Sequence, residues 1–340
     1  MTSSTSTTLP DGLRIELLDQ LGEGGFGAVY LAHLHLPGGL VRKAAVKLLL
    51  DEKGAFGDAA ERLREEGRML ACVNHRCVLE VHGVTRQEGR LALVMEFVDG
   101  ADLGDLLRHA TARMPLRVVL EVVSDVASCL HTAWTTVPPG GDAPLCMVHR
   151  DIKPSNIRIT RDGGVKLLDF GLARGAIGRQ VRTQSGVVQG SLPYMAPERW
   201  GEESGPESDV YALGCILYEA LVGEGLWSDL TMMKLSGVMY GGSGNYAEHL
   251  APRFQRLPSG VPEPIREFAW RMLAYDVLDR PTAAEVARAC MAFTDLLKGP
   301  SLKRWAAERT DWAPAKGRVG PMSGKTLGTL DLDESRHVQP

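Results

Sequence analysis

The chain has 340 residues, 44% of them hydrophobic and 24% charged, as in an ordinary folded protein. This composition excludes wholesale disorder, and a net charge of −4 gives no general electrostatic case for nucleic-acid binding. At roughly 100–200 residues per domain, the length predicts two domains, or one domain of two lobes with tails.

The compartment is predicted from three features. The six cysteines form no Cys-x-x-Cys pair, and the first twelve residues lack the basic start and apolar core of a secretion signal. The apolar stretch 210–222 is too short to cross a bilayer and contains Glu219. We therefore expect a cytoplasmic protein without a membrane contact.

A zinc site is not expected. Cys72 and Cys77 flank His75, but no second ligand pair with zinc spacing follows.

The order of predicted elements indicates an α+β fold. Residues 14–50 alternate around a glycine cluster, like two strands joined by a tight turn, and 78–98 predict two more strands. Residues 58–73 have helical spacing. Longer apolar-periodic helices are predicted over 103–110, 116–134, 208–222, 263–274 and 282–297. The result is a bilobal fold, with a small antiparallel β-rich N-lobe containing one helix and a larger, mainly helical C-lobe.

Composition shifts give the boundaries. Residues 1–13 are rich in Ser and Thr and predict a disordered lead-in, whereas residues 14–297 form the folded domain. Its N-lobe is predicted over 14–95, a hinge over 96–101 and the C-lobe over 102–297. Residues 298–340 predict a mostly disordered tail with an amphipathic piece at 301–312. Prolines and glycines in 135–146 predict a surface loop.

The first chemical signal is a glycine-rich segment between two strand-like runs. It reads Gly22-Glu23-Gly24-Gly25-Phe26-Gly27-Ala28-Val29. Glycines allow backbone amides to approach phosphate oxygens, because no Cβ is in the way. A tight hairpin without a ligand explains the same glycines. A dinucleotide-binding motif fits less well, because a strand-like run follows where a helix should begin.

A lysine and a glutamate form the second signal. Lys47 ends the apolar alternation Ala44-Ala45-Val46, where a lysine can also simply extend to solvent. Glu66 shares a helix face with Leu63 and Leu70, whereas Glu65 points away. A glutamate on an apolar face needs a cation, and Lys47 is the candidate.

The third signal is the most specific one. His149-Arg150-Asp151 is followed by Lys153 and Asn156, and Asp169-Phe170-Gly171 begins eighteen residues after Asp151. Phosphoryl transfer needs one carboxylate to orient and deprotonate the attacking hydroxyl. It also needs a second carboxylate and an amide oxygen to hold Mg²⁺ against a triphosphate.

With these motifs in order over about residues 14–297, the sequence resembles the eukaryotic-type serine/threonine protein kinases of bacteria. The resemblance implies that Asp151 is the catalytic base, that Lys153 steadies the γ-phosphate and that Lys47 pairs with Glu66. Asn156 and Asp169 would bind Mg²⁺, with Mn²⁺ as the alternative. The implied ATP-binding residues are Leu21, Gly22, Glu23, Gly24, Gly25, Phe26, Gly27, Val29, Ala45, Lys47, Met95 (the gatekeeper position), Glu96, Val98, Asp102 and Arg158.

Further positions take roles by the same resemblance. Glu198, in Ala196-Pro197-Glu198, would form a buried ion pair with Arg280, and Asp209 would anchor the backbone of the catalytic loop. Thr183 and Ser185 are implied regulatory phosphosites, facing the basic Arg150 and Arg174. Arg158 departs from the family, whose members usually have an apolar residue beneath the adenine.

The resemblance implies an enzyme that uses ATP and protein substrates with Ser or Thr, with a transient homodimer for autophosphorylation in trans. Two alternatives stay open. A catalytically dead kinase-like scaffold would be expected to lack Lys47, Asp151 or Asp169, which are all present. A small-molecule phosphotransferase of similar fold would lack the long segment between Asp169 and Ala196-Pro197-Glu198.

Overall fold

A computed structural model describes residues 14–24, 27–49, 67–87, 90–109, 113–170, 192–201, 204–310, 312 and 317–327. The chain divides into two compact units that are not contiguous in sequence. Unit 1 consists of Met1–Ala71, Leu79–Asp99 and Pro314–Pro340, and unit 2 consists of Cys72–Val78 and Gly100–Ala313.

Unit 1 is built around an antiparallel sheet. Its strands lie in the order β4-β5-β3-β2-β1-β9. Their bounds are β1 Arg14–Gly24, β2 Gly27–His35, β3 Val41–Leu49, β4 Val81–Gln87, β5 Arg90–Glu96 and β9 Thr326–Leu327. Residues 14–49 thus form three strands instead of the predicted two, because Pro37–Gly39 makes a second turn. A helical stretch at 67–72, which we call α1, is the described part of the predicted helix 58–73.

Side-chain alternation gives this sheet two different faces. One face carries the apolar core of unit 1, whose members come from β1, β2, β3 and β5 and from the segment that ends in β9. They are Ile15, Leu17, Ala28, Tyr30, Ala32, Leu34, Ala44, Val46, Leu48, Ala92, Val94, Met322 and Leu327. The opposite face carries Val29, Ala45, Lys47 and Met95, because these residues alternate with core residues along their strands.

Unit 2 is mainly helical. Its helices are α2 Leu103–His109, α3 Leu116–Thr135, α4 Pro206–Val222, α5 Met232–Tyr240, α6 Gly242–Phe254, α7 Glu263–Met272, α8 Ala283–Asp295 and α9 Leu302–Glu308. A small antiparallel sheet joins β6 Gly100–Asp102, β7 Ile157–Thr160 and β8 Val165–Leu167. One β-rich unit and one helical unit confirm the predicted α+β, kinase-like fold class.

Helix α4 occupies the core of unit 2. Its sequence is apolar all round, as expected for a buried helix, and nearly all its residues are buried. Pro206 at its first turn and Gly223 in the left-handed conformation after its last residue define its ends. Helix α3 packs against both α4 and α8. The buried Ser124 hydroxyl donates to the Ala287 carbonyl at 2.9 Å, which fixes α3 against α8.

The C-terminal tail differs from the sequence-based expectation of a mostly disordered segment. Helix α9 lies within the predicted amphipathic piece, and Leu302 and Ala306 are buried in unit 2. Strand β9 pairs with β1 in unit 1, with Ile15 opposite Leu327. Short segments without long runs of apolar residues give a weak sequence signal. Their packing partners are distant in sequence, so local spacing does not reveal them.

Among the described residues, no helix combines the length and the hydropathy that crossing a bilayer requires.

Candidate active site

The catalytic loop around His149 and Arg150 is held by a buried carboxylate. Asp209, near the start of α4, accepts hydrogen bonds from the backbone amides of His149 at 2.7 Å and Arg150 at 2.8 Å. Arg150 has φ +65°, a conformation that a non-glycine residue adopts only when its surroundings hold it there. The predicted anchoring role of Asp209 is confirmed. Because Asp209 belongs to the buried helix α4, the packing of this helix fixes the conformation of the loop around His149 and Arg150.

His149 joins two functional segments. Its Nε2–H donates to the Leu168 carbonyl at 2.9 Å, and its Nδ1 accepts from the Asp151 amide at 3.2 Å. The ring is fully buried and lies 4.7 Å from the Phe170 ring, centroid to centroid. One donor and one acceptor are the hydrogen-bonding capacity of a neutral imidazole. His149 therefore ties the backbone at Asp151 to the segment that carries Asp169.

Asp151, Lys153 and Asn156 form one polar cluster. The Lys153 ammonium lies 3.0 Å from Asp151 Oδ2. The Asn156 amide nitrogen donates to the Asp151 carbonyl at 2.8 Å and to Asp151 Oδ2 at 3.2 Å. The turn Pro154–Asn156 buries Asn156 and aims its side chain back at Asp151. The carboxylate of Asp151 is thus oriented by two contacts to its Oδ2.

Asp169 lies two residues after β8 and has φ +54° with an exposed side chain. Because the Asn156 amide nitrogen is engaged by Asp151, the Asn156 oxygen is the atom suited to a cation. A carboxylate and an amide oxygen are hard ligands of the kind that Mg²⁺ prefers. The donor set of Asn156 and Asp169 therefore fits a magnesium site.

Unit 1 carries most of the residues predicted to bind ATP. Lys47 is half-buried and lies opposite Val29 on β2 and Leu93 on β5. Ala45 lies opposite the buried Met95 on the same face of the sheet. In the glycine-rich segment, Gly22 and Glu23 are exposed, and Gly24 pairs with Gly27. Gly25, Phe26 and Glu66 lie outside the described residues.

Leu21, Glu96 and Val98 complete the predicted ATP-binding set in unit 1. Leu21 is half-buried in β1, and Val98 is buried after the end of β5. The Glu96 amide donates to the Glu80 carbonyl at 2.9 Å. A contact from the Glu96 backbone to an adenine would therefore come from its carbonyl oxygen.

Asp102 and Arg158 lie opposite each other in the small sheet of unit 2. Asp102 Oδ1 accepts from the Asp105 amide at 2.8 Å, at the first turn of α2, and burial is the main cause that raises the pKa of Asp102. The Arg158 guanidinium donates to the Gly100 carbonyl at 2.6 Å. The charged end of this unusual residue is therefore held at the β6 backbone.

Glu198 and Arg280 form the predicted ion pair in unit 2. Two hydrogen bonds of 2.9 and 2.8 Å join the guanidinium to the two carboxylate oxygens, and the Arg280 side chain is fully buried. Burial opposes ionisation of Glu198 most strongly, but the bonds from Arg280 and Ser208 together hold its pKa below the usual range. Thr183, Ser185 and Arg174 lie outside the described residues.

Sequence reasoning missed two residues that support these groups. Arg199 donates to the Arg150 carbonyl at 2.7 Å, and Ser208 donates to Glu198 at 2.6 Å. Neither residue has a role in the sequence motifs described above. Both act on partners brought close by folding, so local spacing contains no signal for them.

Comparisons with known proteins agree with this geometry. The family model "Protein kinase domain" matches residues 15–290. The chain is 35% identical over 282 residues to "Tyrosine-protein kinase MasK" of Myxococcus xanthus, covering 82% of this chain and 42% of that protein. It is 37% identical over 230 residues to "Serine/threonine-protein kinase PknA" of Mycobacterium tuberculosis, covering 66% of this chain and 50% of that protein.

A third relative is "Serine/threonine-protein kinase PknB" of Mycobacterium leprae. It is 36% identical over 219 residues, which cover 62% of this chain and 33% of that protein. The chain thus spans half or less of the length of these three relatives.

Proposed function

Because the chain belongs to the protein kinase family, we propose that it transfers the γ-phosphate of ATP to serine and threonine hydroxyls of protein substrates. The observation that supports this most directly is the cluster in which Lys153 and Asn156 both contact Asp151 Oδ2. Such a cluster presents an oriented carboxylate beside a cation, as phosphoryl transfer requires.

In this proposal, Asp151 accepts the proton of the substrate hydroxyl as the hydroxyl oxygen bonds to the γ-phosphorus. The bond between the γ-phosphorus and the β,γ-bridging oxygen breaks, and ADP leaves with that electron pair. Lys153 neutralises charge on the transferred group. Asn156 keeps the Asp151 carboxylate in place, because its amide is bonded to both the backbone and the side chain of that residue.

Family membership implies ATP and a divalent metal. We propose Mg²⁺, with Mn²⁺ as the alternative, held by Asn156 and Asp169. When bound, the metal would neutralise charge on the phosphates. For the nucleotide itself, we propose that Lys47 contacts the α- and β-phosphates and pairs with Glu66. The residues of the glycine-rich segment, with Ala45, Met95, Glu96, Val98, Asp102 and Arg158, would complete the ATP site.

Tyrosine is the second acceptor to be considered, because one relative is named a tyrosine-protein kinase. Lys153, two residues after Asp151, favours serine and threonine by the family resemblance, since tyrosine kinases usually have arginine and alanine in this region. We further propose a cytoplasmic location and a transient homodimer for autophosphorylation. The six free cysteines suit a reducing compartment.

The test uses labelled ATP, a generic protein substrate and a panel of small alcohols, with wild type, Asp151→Asn and Asp162→Asn compared. Asp162 lies on the exposed turn between β7 and β8 and serves as the matched control. We expect phosphoserine and phosphothreonine from wild type and Asp162→Asn. Asp151→Asn should retain less than about a tenth of the turnover, since general-base catalysis is worth roughly 10²–10⁴-fold.

Each alternative predicts a different result in the same assay. Phosphotyrosine alone would replace the proposed acceptor, and labelled alcohols without labelled protein would indicate a small-molecule phosphotransferase. ATP binding without transfer by wild type would indicate a scaffold.

A further inference from the structure

The C-terminal segment 317–327, which we call the tail strap, pairs with the free side of β1 in unit 1. The Leu17 amide donates to the Lys325 carbonyl at 2.9 Å, and the Gly324 amide donates to the Leu17 carbonyl at 2.8 Å. Further along, Gln20 and Arg318 exchange two backbone hydrogen bonds of 2.7 and 3.0 Å. β1 is therefore bonded on both sides, to β2 and to the strap.

Packing makes this pairing specific. Met322 and Leu327 of the strap are buried in the apolar core of unit 1. Gly320 passes so close to β1 and β2 that an added Cβ would lie 2.5 Å from Gln20 Oε1 and 2.8 Å from the Tyr30 hydroxyl. Only glycine fits there without a shift of its neighbours. Burial of these two large apolar side chains stabilises the docked strap.

The strap also reaches the glycine-rich segment itself. Arg318 donates to Glu23 Oε2 at 2.5 Å, and the Gln20 side chain donates to the same oxygen at 3.1 Å. Glu23 lies between Gly22 and Gly24, directly after the two places where the pairing of β1 with β2 shifts register. Both members of the ion pair are about half exposed or more, so the pair alone contributes little. The backbone hydrogen bonds and the buried side chains therefore contribute most of the stability of the docked strap.

We propose that the tail strap is a positioning element for nucleotide binding, and that Arg318 and Gln20 are its contact to the glycine-rich segment. The proposal rests on ATP binding by that segment. A ligand that needs one conformation of its binding segment binds with an apparent affinity lowered in proportion to the fraction of molecules that adopt this conformation. The strap raises this fraction, because it fixes the β1 end of the hairpin before ATP arrives.

The main variant is Gly320→Val, with Gly260→Val as the matched control. Gly260 lies on an exposed turn of unit 2, and an added Cβ would meet nothing within 4 Å. We expect Gly320→Val to raise the KM for ATP about threefold to tenfold, as the competent fraction falls correspondingly. The kcat and the KM for the protein substrate should stay within about twofold, because the strap acts on nucleotide binding and not on the chemical step.

Hydrogen exchange of the same proteins measures whether the strap is docked. In Gly320→Val, the amides of Leu17 and Gln20 should lose protection, since their acceptors are strap carbonyls. Amides of β3 should keep theirs. If Gly320→Val fails to fold, Gly320→Ala and Arg318→Ala provide the same comparison with smaller perturbations.

Two results would overturn the proposal. One is loss of protection at Leu17 and Gln20 with an unchanged KM for ATP, and the other is a raised KM for ATP with unchanged protection at both amides. Calorimetric titration with ADP separates this from the proposed function. A wild-type protein that binds no ADP and transfers no phosphate refutes kinase activity, whereas a wild type that binds ADP as tightly as a strap-released variant refutes only the strap's role.

Discussion

The guanidinium of Arg280 and the carboxylate of Glu198 are joined by two hydrogen bonds, and the Arg280 side chain has no exposed surface. Arg280 also donates to the carbonyls of Glu207, Ala274 and Tyr275, so its partners lie in three segments of unit 2, at 198, 207 and 274–275. Glu198 is the last residue of Ala196-Pro197-Glu198. The position of Ala196-Pro197-Glu198 in unit 2 thus depends on this pair.

Arg280→Met should therefore destabilise the protein severely. It leaves the Glu198 carboxylate buried without its cation, a loss that typically costs about 3–5 kcal/mol. Chemical denaturation of wild type and variant measures the change. Arg256→Met is the matched control, because Arg256 pairs with Glu224 on the surface. We expect the control to unfold like wild type, and an equally stable Arg280→Met would show that the pair does not hold the segment.

Asp209 should make stability depend on pH. Burial raises the pKa of this carboxyl to about 6 from 3.8, against the opposing effect of the amides of His149 and Arg150. The folded protein therefore holds the proton more tightly, so this contribution to stability is complete below about pH 4 and is lost as the pH rises through about 6. Relative to Asp209→Asn, wild type should lose about 3 kcal/mol of unfolding free energy between pH 4 and 7.

Denaturation at several pH values measures whether this contribution to the unfolding free energy decreases as the pH rises. Asp162→Asn is the control, because the hydrogen bond from Thr160 lowers the pKa of Asp162 and its small contribution runs in the opposite direction. A difference between wild type and Asp209→Asn that does not vary with pH would contradict the assignment.

Lys47→Met and Glu66→Gln should each depress activity, and the two losses should not multiply. Each change breaks the same proposed pair, so the second change has little left to remove. Steady-state kinetics of both single variants and the double variant measure the coupling. A double variant whose loss equals the product of the single losses would count against the pair, and Glu65→Gln would then be the next variant to measure.

Incubation with Mg-ATP should phosphorylate Thr183 or Ser185, and phosphatase treatment should then lower activity several-fold. A phosphate adds about −1.5 to −2 charges and three acceptor oxygens, which can order a segment against Arg150 and Arg174. Mass spectrometry locates the phosphate, with Asp151→Asn as the control that should not modify itself. Undiminished activity in a Thr183→Ala/Ser185→Ala double variant would refute the switch.

Local spacing predicted the parts of the site that are close in sequence. Asp151, Lys153 and Asn156 form their cluster within one loop and one turn, so the motif and the geometry coincide. The alternation around Ala45 and Lys47 likewise places them on one face of β3, because a strand has a period of two residues. The bounds of the five helices predicted between 103 and 297 lie within a few residues of those in the structure for the same reason, whereas α5 and α6 were not predicted from the sequence.

Only the tertiary structure shows that the strap pairs with β1 and which group the Arg158 guanidinium contacts. The sequence of 317–327 contains few apolar residues, and this segment pairs with β1 at both of its ends because β1 offers backbone amides and carbonyls together with a core that accepts Met322 and Leu327. Arg158 departs from the apolar residue that the family resemblance implies at this position, and its guanidinium donates to the Gly100 carbonyl. Residue types and spacing determined which chemistry the chain carries. How the functional side chains are held depends on burial and on pairing between distant segments. Packing determines which backbone groups and charges become partners, and this pairing produces no periodic pattern in the sequence.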